Sequence, residues 1–316
     1  MKKFAAILSL LWLLFVVLDQ GTQAQNATTK TNRLVAITFD DLPVISLRGD
    51  IESRRETTLK LLEHIKTAKV PAIGFINERQ LFPDNKRDEA QVALLRAWLD
   101  RGLELGNHTY SHPDLHKIPL EEYMTDVIRG EVVTTELLKA RGKSLRFFRH
   151  PFLHTGRDLE TKQKFEEFLK ERGYRVAPVT FDNNDYIFAG AYKNAFLRDD
   201  KEMMKRIGEA YVPYLESVVD YYERQSVKLF GREVRQILLL HANSINADYF
   251  DEVAAMLKKR GYTFITLEEA LKDEAYKSPD TFTGPQGPSW LHRWAITRGK
   301  ENLLQGEPNV PEWVMK

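Results

Sequence analysis

The chain has 316 residues, 43% hydrophobic and 29% charged, which fits a globular protein of one large or two ordinary domains and excludes a disordered one. Lys and Arg number 46 against 45 Asp and Glu, so no charge excess directs the chain to nucleic acid or to an anionic membrane. There is no cysteine, so the fold must be held by its core and not by disulfides.

The first segment, MKKFAAILSLLWLLFVVLDQGTQAQ, has Lys2 and Lys3, an apolar run from Phe4 to Leu18, and then small and polar residues. That layout predicts a signal peptide over residues 1–24, cut before Gln25, and a polar leader over 25–32. The apolar run is short for a spanning helix, which leaves an uncleaved anchor as the alternative. The expectation is an exported protein, periplasmic or secreted, with no stable membrane insertion once the signal is removed. Two N-x-[ST] sequons occur, at Asn26 and Asn107. The second falls among candidate metal-ligating residues, where a glycan would be intolerable, so a bacterial exporter fits better than a glycosylating one.

Beyond the leader, strand-like runs alternate with helical patterns. LVAITF reads as a first strand and residues 52–68 as a helix, with Leu59, Leu62, Ile65 and Ala68 at helical spacing. VPAIGFIN is a second strand, followed by a helix near Gln91–Arg101 that Gly102 closes. LELGNHT, LRFFRHP and YRVAPVTFD predict the next three strands, separated by helices near Leu120–Ala140 and Leu159–Arg172. RQILLLHAN and YTFITL are the sixth and seventh. Seven strands alternating with helices predict a parallel α/β architecture, barrel or open sheet, in which functional side chains gather at the C-terminal strand ends. Residues 187–234 exceed an ordinary crossover and read as a mainly helical insertion, a lid or a wall. The tail, residues 278–316, carries three of the five Trp and reads as an ordered arm.

Five of the eight histidines, with the acid pair Asp40–Asp41 and Arg149, follow the ends of predicted strands one, three, four and six. Neighbours in a strand point to opposite faces, so two adjacent acids ending one are either a polar turn or two carboxylates with separate tasks. His108 and His112, four residues apart, suit a divalent metal if a carboxylate lies near them. Taken alone, the pair reads equally well as two hydrogen-bonded histidines. Pro113 and small polar neighbours suggest a turn bending around an ion. His116 is expected outside a ligand set, which a third His would crowd. His241 ends an apolar strand, Arg149 is either an ordinary ion-pair partner or the residue fixing an active-site carboxylate, and Asp182 and Asp185 could be turn residues.

Together TFDD, HTYSH, RHPF, DNNDY and LLH resemble, in order, the five motifs of the polysaccharide deacetylase family, the chitooligosaccharide deacetylase-like group called carbohydrate esterase family four, over residues 33–272. The resemblance implies an irregular parallel (β/α) barrel of about seven strands, with a catalytic domain over 33–277. It implies a divalent metal, zinc first with cobalt or another divalent ion as alternatives, bound by Asp41, His108 and His112. Asp40 would be the general base, Arg149 its orienting partner, and His241 the acid that protonates the leaving amine, with Asp185 orienting its ring. The Phe152 amide would help hold the oxyanion, Leu239 would line the acetyl pocket, and Tyr186 would form part of the groove.

Three positions depart from the family pattern. Leu42 stands where Gly is usual, predicting a stiffer turn and a more apolar mouth; Tyr186 replaces a Trp, and Phe152 a frequent Tyr. Tyr110 and Trp290 are further candidates for stacking on sugar faces. The implied activity is removal of acetyl groups from N-acetylated glycans, chitin-like or peptidoglycan. The alternatives are an O-acetyl ester or small cyclic amide hydrolase on the same scaffold, or a glycan-binding protein without catalysis.

Overall fold

The computed structural model describes residues 33–316. The expected signal peptide, leader and Asn26 sequon lie outside the described residues. In chain order the elements are β1 (Arg33–Ile45), α1 (Ile51–Ala68), β2 (Ile73–Ile76), α2 (Glu89–Leu99) and β3 (Glu104–Asn107). There follow α3 (Leu120–Arg129), α4 (Val132–Lys139), β4 (Phe147–Phe148), α5 (Leu159–Glu171) and β5 (Arg175–Val176). The rest are α6 (Asp185–Leu197), α7 (Lys201–Phe230), β6 (Gln236–Asn243), α8 (Ser244–Lys259), β7 (Tyr262–Phe264), α9 (Leu267–Ala270) and α10 (Trp290–Thr297).

The seven strands form one parallel sheet in the order β5-β4-β3-β2-β1-β6, with β7 paired to the start of β1. The sheet curls: Phe181, beyond β5, bridges to Leu238 in β6, so the last part of the β5 segment returns to the far edge. This is the parallel barrel-like architecture the sequence predicts. Strands 1 and 6 are buried along nearly their whole length, as expected where both faces are covered. Period-two alternation then sorts their side chains. Ala36, Ile73, Phe75, Phe147, Ala177 and Ile237 meet inside the curl, closed below by Leu267 and Ala270 of α9. Thr38 and Arg149 lie above them, and Asp40 above those, linked through the arginine. The outward residues, among them Val35, Ile37, Phe39 and Leu238, pack under the helices in the main core.

Several expectations need correction. The first strand runs on to Ile45 instead of stopping at the acids. The fourth and fifth are only two residues each, the fifth ending just before Ala177 and Pro178, which has no N–H for a ladder. The single helix expected near 120–140 is two helices, broken at Gly130 and Glu131. The insertion is a pair: α6 begins at Asp185 itself, and α7 then runs for 30 residues. The arm is built into the same body, with Leu291, Trp294, Val310 and Val314 in the main core. No helix among the described residues is long and apolar enough to cross a membrane.

Candidate active site

Asp40 and His241 are register partners on adjacent parallel strands, which brings their side chains to one level at the C-terminal end of the sheet. Strict alternation would turn Asp41 away from Asp40. It does not, because Asp41 takes a left-handed backbone with φ of 65°, and both acids line the same cavity. The turn is thus made at the second acid and not at Leu42. Leu42 is wholly buried and packs on Gly74 of β2, whose missing Cβ makes room for it. The predicted apolar mouth is therefore corrected: Leu42 belongs to the core.

His108 follows β3, and left-handed residues at Thr109 and His112 bend the chain back. The pair is presented by a turn, not by a helical face. Asp41 Oδ1 lies 3.8 Å from His108 Nε2 and 3.7 Å from His112 Nε2. His108 Nδ1 is 2.8 Å from the Arg149 carbonyl, which fixes its N–H there and leaves the Nε2 lone pair free. Burial, and then the neighbouring His112, hold the His108 imidazole well below its usual pKa, so it is neutral. Two imidazole nitrogens and a carboxylate at this separation suit one small divalent cation with bonds of about 2 Å. The donor set fits the implied metal.

Arg149 is completely buried and donates from Nη1 to Asp40 Oδ2 at 3.3 Å, from Nη2 to Thr38 Oγ1 at 2.9 Å and from Nε to the Ala177 carbonyl at 2.8 Å. Burial raises the Asp40 carboxyl above its ordinary value, and Arg149, His241 and His112 oppose that without cancelling it. Asp40 Oδ1 is buried with no hydrogen-bond partner among the described residues. Across the cavity Asp185 Oδ1 is 2.7 Å from His241 Nδ1, and Oδ2 accepts from the His241 amide at 2.8 Å and from Asn246 Nδ2 at 2.6 Å. Burial alone would depress His241, but Asp185, then Asp41 and Asp40, outweigh it and raise the imidazole to about 10.

The cavity holds about 960 Å³. Phe152 and Tyr186 line it with more than half their surface exposed, and Leu239 forms part of its buried wall. The Phe152 ring stands edge-on to His112 at 4.6 Å, and the Tyr186 ring edge-on to His241 at 6.1 Å. Tyr110 and Trp290 do not line it. Tyr110 is buried under the Arg129 guanidinium, 3.6 Å from its ring centre, and Trp290 is buried against Arg293. His116 lies apart from the triad, stacked on His154 at 3.9 Å, and His154 in turn meets Asp114 at 2.6 Å. Asn107 is fully buried and its amide donates to the Val127 carbonyl and Tyr174, so this sequon is closed to a glycan in the folded chain.

One contributor was missed from sequence. Phe152 and Leu153 both adopt left-handed backbones, with φ of 56°. Pro285, Gln286, Gly287 and Pro288 of the arm line the cavity beside them, and a Cβ at Gly287 would fall 1.8 Å from the Phe152 carbonyl oxygen. Arg293, wholly buried, donates to the Leu153 carbonyl, to Thr155 Oγ1 at 2.9 Å and to the Pro288 carbonyl at 3.0 Å. The arm thus clamps the loop that presents Phe152. Its Trp content signalled order, but nothing local pairs an arginine with a loop 140 positions earlier.

The polysaccharide deacetylase family profile matches residues 27–177. A peptidoglycan-N-acetylglucosamine deacetylase of Bacillus cereus is 29% identical over 154 residues, 48% of this chain and 46% of that protein. A bifunctional xylanase/deacetylase of Pseudobutyrivibrio xylanivorans is 22% identical over 257 residues, 79% of this chain and 32% of that protein. The match therefore spans about half of the first relative and about a third of the second. Among solved structures, a mutant of a CE4 family pseudoenzyme from Bacillus anthracis aligns with a TM-score of 0.50 and 17% identity, over 77% of this chain and 68% of that one; this likeness concerns the fold. Residues 27–177, just under half of the chain, thus match the polysaccharide deacetylase profile, and the fold is shared with a CE4 family protein over 77% of this chain.

Proposed function

We propose that this protein is an exported, metal-dependent hydrolase that removes acetyl groups from N-acetylated glycans, of the chitin or peptidoglycan type. The observation that carries the reading is the meeting of three pairs or triads at one cavity: Asp41–His108–His112, Asp40–Arg149 and His241–Asp185. A divalent cation held by Asp41, His108 and His112, zinc by its donor set, would supply Lewis acidity and acidify a water. Asp40 takes the proton of the attacking water. Its raised pKa makes it a stronger base than an exposed aspartate, and its unpartnered Oδ1 is the atom available for the proton. Arg149 holds the other oxygen and with it the direction of the carboxylate.

His241, kept protonated by Asp185, donates from Nε2 to the leaving amine nitrogen as the C–N bond breaks. The Phe152 N–H takes part in holding the developing oxyanion. Leu239 walls the site for the acetyl methyl, and the exposed rings of Phe152 and Tyr186 offer apolar faces to the sugar. A glycan-binding role without catalysis finds less support, since each reactive position holds a competent residue. The test is acetate release from N-acetylglucosamine oligomers and from acetylated xylan, side by side, after chelation and after re-addition of zinc or cobalt. Metal-restored release from the N-acetylated oligomers supports the proposal, whereas release from xylan alone moves the chain to O-acetyl esters. Release that chelation leaves untouched removes the metal.

A further inference from the structure

The cavity has a second wall, formed by one face of α6: Tyr186, Ala189, Gly190 and Lys193. Their spacing of three, four and seven residues from Tyr186 makes one helical stripe. It starts beside His241 and ends about 10 Å further along the helix axis, at a rise of about 1.5 Å per residue. Two residues of this stripe lack a structural reason. Gly190 sits mid-helix, where glycine is less stable than alanine. Its backbone is not in the left-handed region, and a Cβ there would meet nothing within 4 Å. Neither packing nor conformation asks for glycine; the bare position widens the cavity. Lys193 is half-buried and is the one Lys or Arg lining the cavity among the described residues. It makes no ion pair with any described carboxylate.

Resting on the deacetylase reading, we propose that this stripe is a distal glycan subsite for an acidic sugar. The sugar next to the one being deacetylated lies across Gly190, and a carboxylate it carries is met by the Lys193 ammonium. The substrate class is accordingly an N-acetylated glycan whose neighbouring residues bear carboxylates, and α6, the first part of the insertion, is what selects it. A flexible ammonium suits this task, because one point charge can follow a carboxylate in more than one position.

The experiment compares three tetrasaccharides of equal length: neutral N-acetylglucosamine, one with a carboxylate on an ether arm of alternate sugars, and one with alternate uronates. The readout is the ratio of kcat/KM for each acidic tetramer to that for the neutral one. Lys193→Met should lower this ratio about tenfold, the scale of one charge-assisted hydrogen bond. Lys193→Arg should retain it. The arm that responds identifies which carboxylate is read; no change in either ratio overturns the proposal. Gly190→Ala should raise Tm, because alanine is the better helix former, and yet raise KM several-fold for all tetramers. A higher Tm with unchanged KM would remove Gly190 from the subsite. Should the wild type release no acetate from any tetramer, the deacetylase reading fails alone. Calorimetric affinities of the same three oligomers for wild type and Lys193→Met then still decide whether Lys193 meets the carboxylate.

Discussion

Replacing Arg293 tests whether the C-terminal arm holds the loop that presents Phe152. Arg293→Met removes the donors to the Leu153 and Pro288 carbonyls and to Thr155 Oγ1, all at a site with no exposure of the arginine. Each buried acceptor left unpaired costs about 1–3 kcal/mol, giving about 3–5 kcal/mol for the three after partial relaxation. Asp280 is not stranded, because Lys162 remains 2.6 Å away. For a domain of this size about 2–4 °C of Tm accompanies each kcal/mol, so Tm should fall by roughly 10 °C. The local effect is separate. Two non-glycine residues in left-handed conformation, Phe152 and Leu153, hold about 1–2 kcal/mol of strain each. Without the clamp that strain favours relaxation of the loop and misplaces the Phe152 amide. In acetate release at 20 °C, well below Tm, kcat should drop about ten- to a hundredfold with a smaller change in KM, and Arg293→Lys should recover part of it. A variant with lowered Tm and wild-type kcat would refute the clamp as a positioning device and leave Arg293 a purely structural residue.

Other outcomes follow from the same geometry. Leu42→Ala should cost about 3 kcal/mol in denaturant unfolding while leaving KM for N-acetylated oligomers unchanged, because Leu42 is core and not mouth. Asp185→Asn removes the largest influence raising His241, so its protonated form should be lost at lower pH. The alkaline limb of kcat/KM should move down, with kcat about a hundredfold lower. His292, buried and lowered to about 4 by desolvation, binds its proton more weakly in the folded than in the unfolded chain. Its contribution is therefore present above about pH 6.5 and lost as pH falls toward 4, amounting to roughly 3 kcal/mol. His292→Gln, which retains a group able to bond the Tyr221 hydroxyl 2.9 Å away, should flatten that part of the stability profile.

The candidate site residues were legible because they sit where parallel strands end, and hydrophobic runs mark those ends well. Asp40 and His241 needed only the period of a strand to be placed on one level. Asp41 was harder. Alternation points it the wrong way, and only a left-handed backbone at a non-glycine residue, which has no local signature, turns it inward. The same limit misdirected attention to Leu42, since a position is read by its residue type and not by the strand face it occupies. The short fourth and fifth strands are set by neighbours: Phe148 pairs with Asn107 and with Val176, and the apolar stretches around it pack without forming ladders. Tyr110 and Trp290 look like sugar platforms in a list of aromatics, yet the cations stacked on them belong to the fold. The Arg293 clamp and the α6 stripe were out of reach for one reason: each depends on which distant segment lies opposite.

The central claim, that adjacent Asp40 and Asp41 divide the work of proton transfer and metal binding, meets its most direct test in metal content measured beside turnover. Asp41→Asn and His108→Ala should lose both the bound metal and acetate release. Asp40→Asn should bind metal at the wild-type ratio while kcat falls at least about a hundredfold. Loss of metal in Asp40→Asn, or turnover in it close to wild type, would contradict the division.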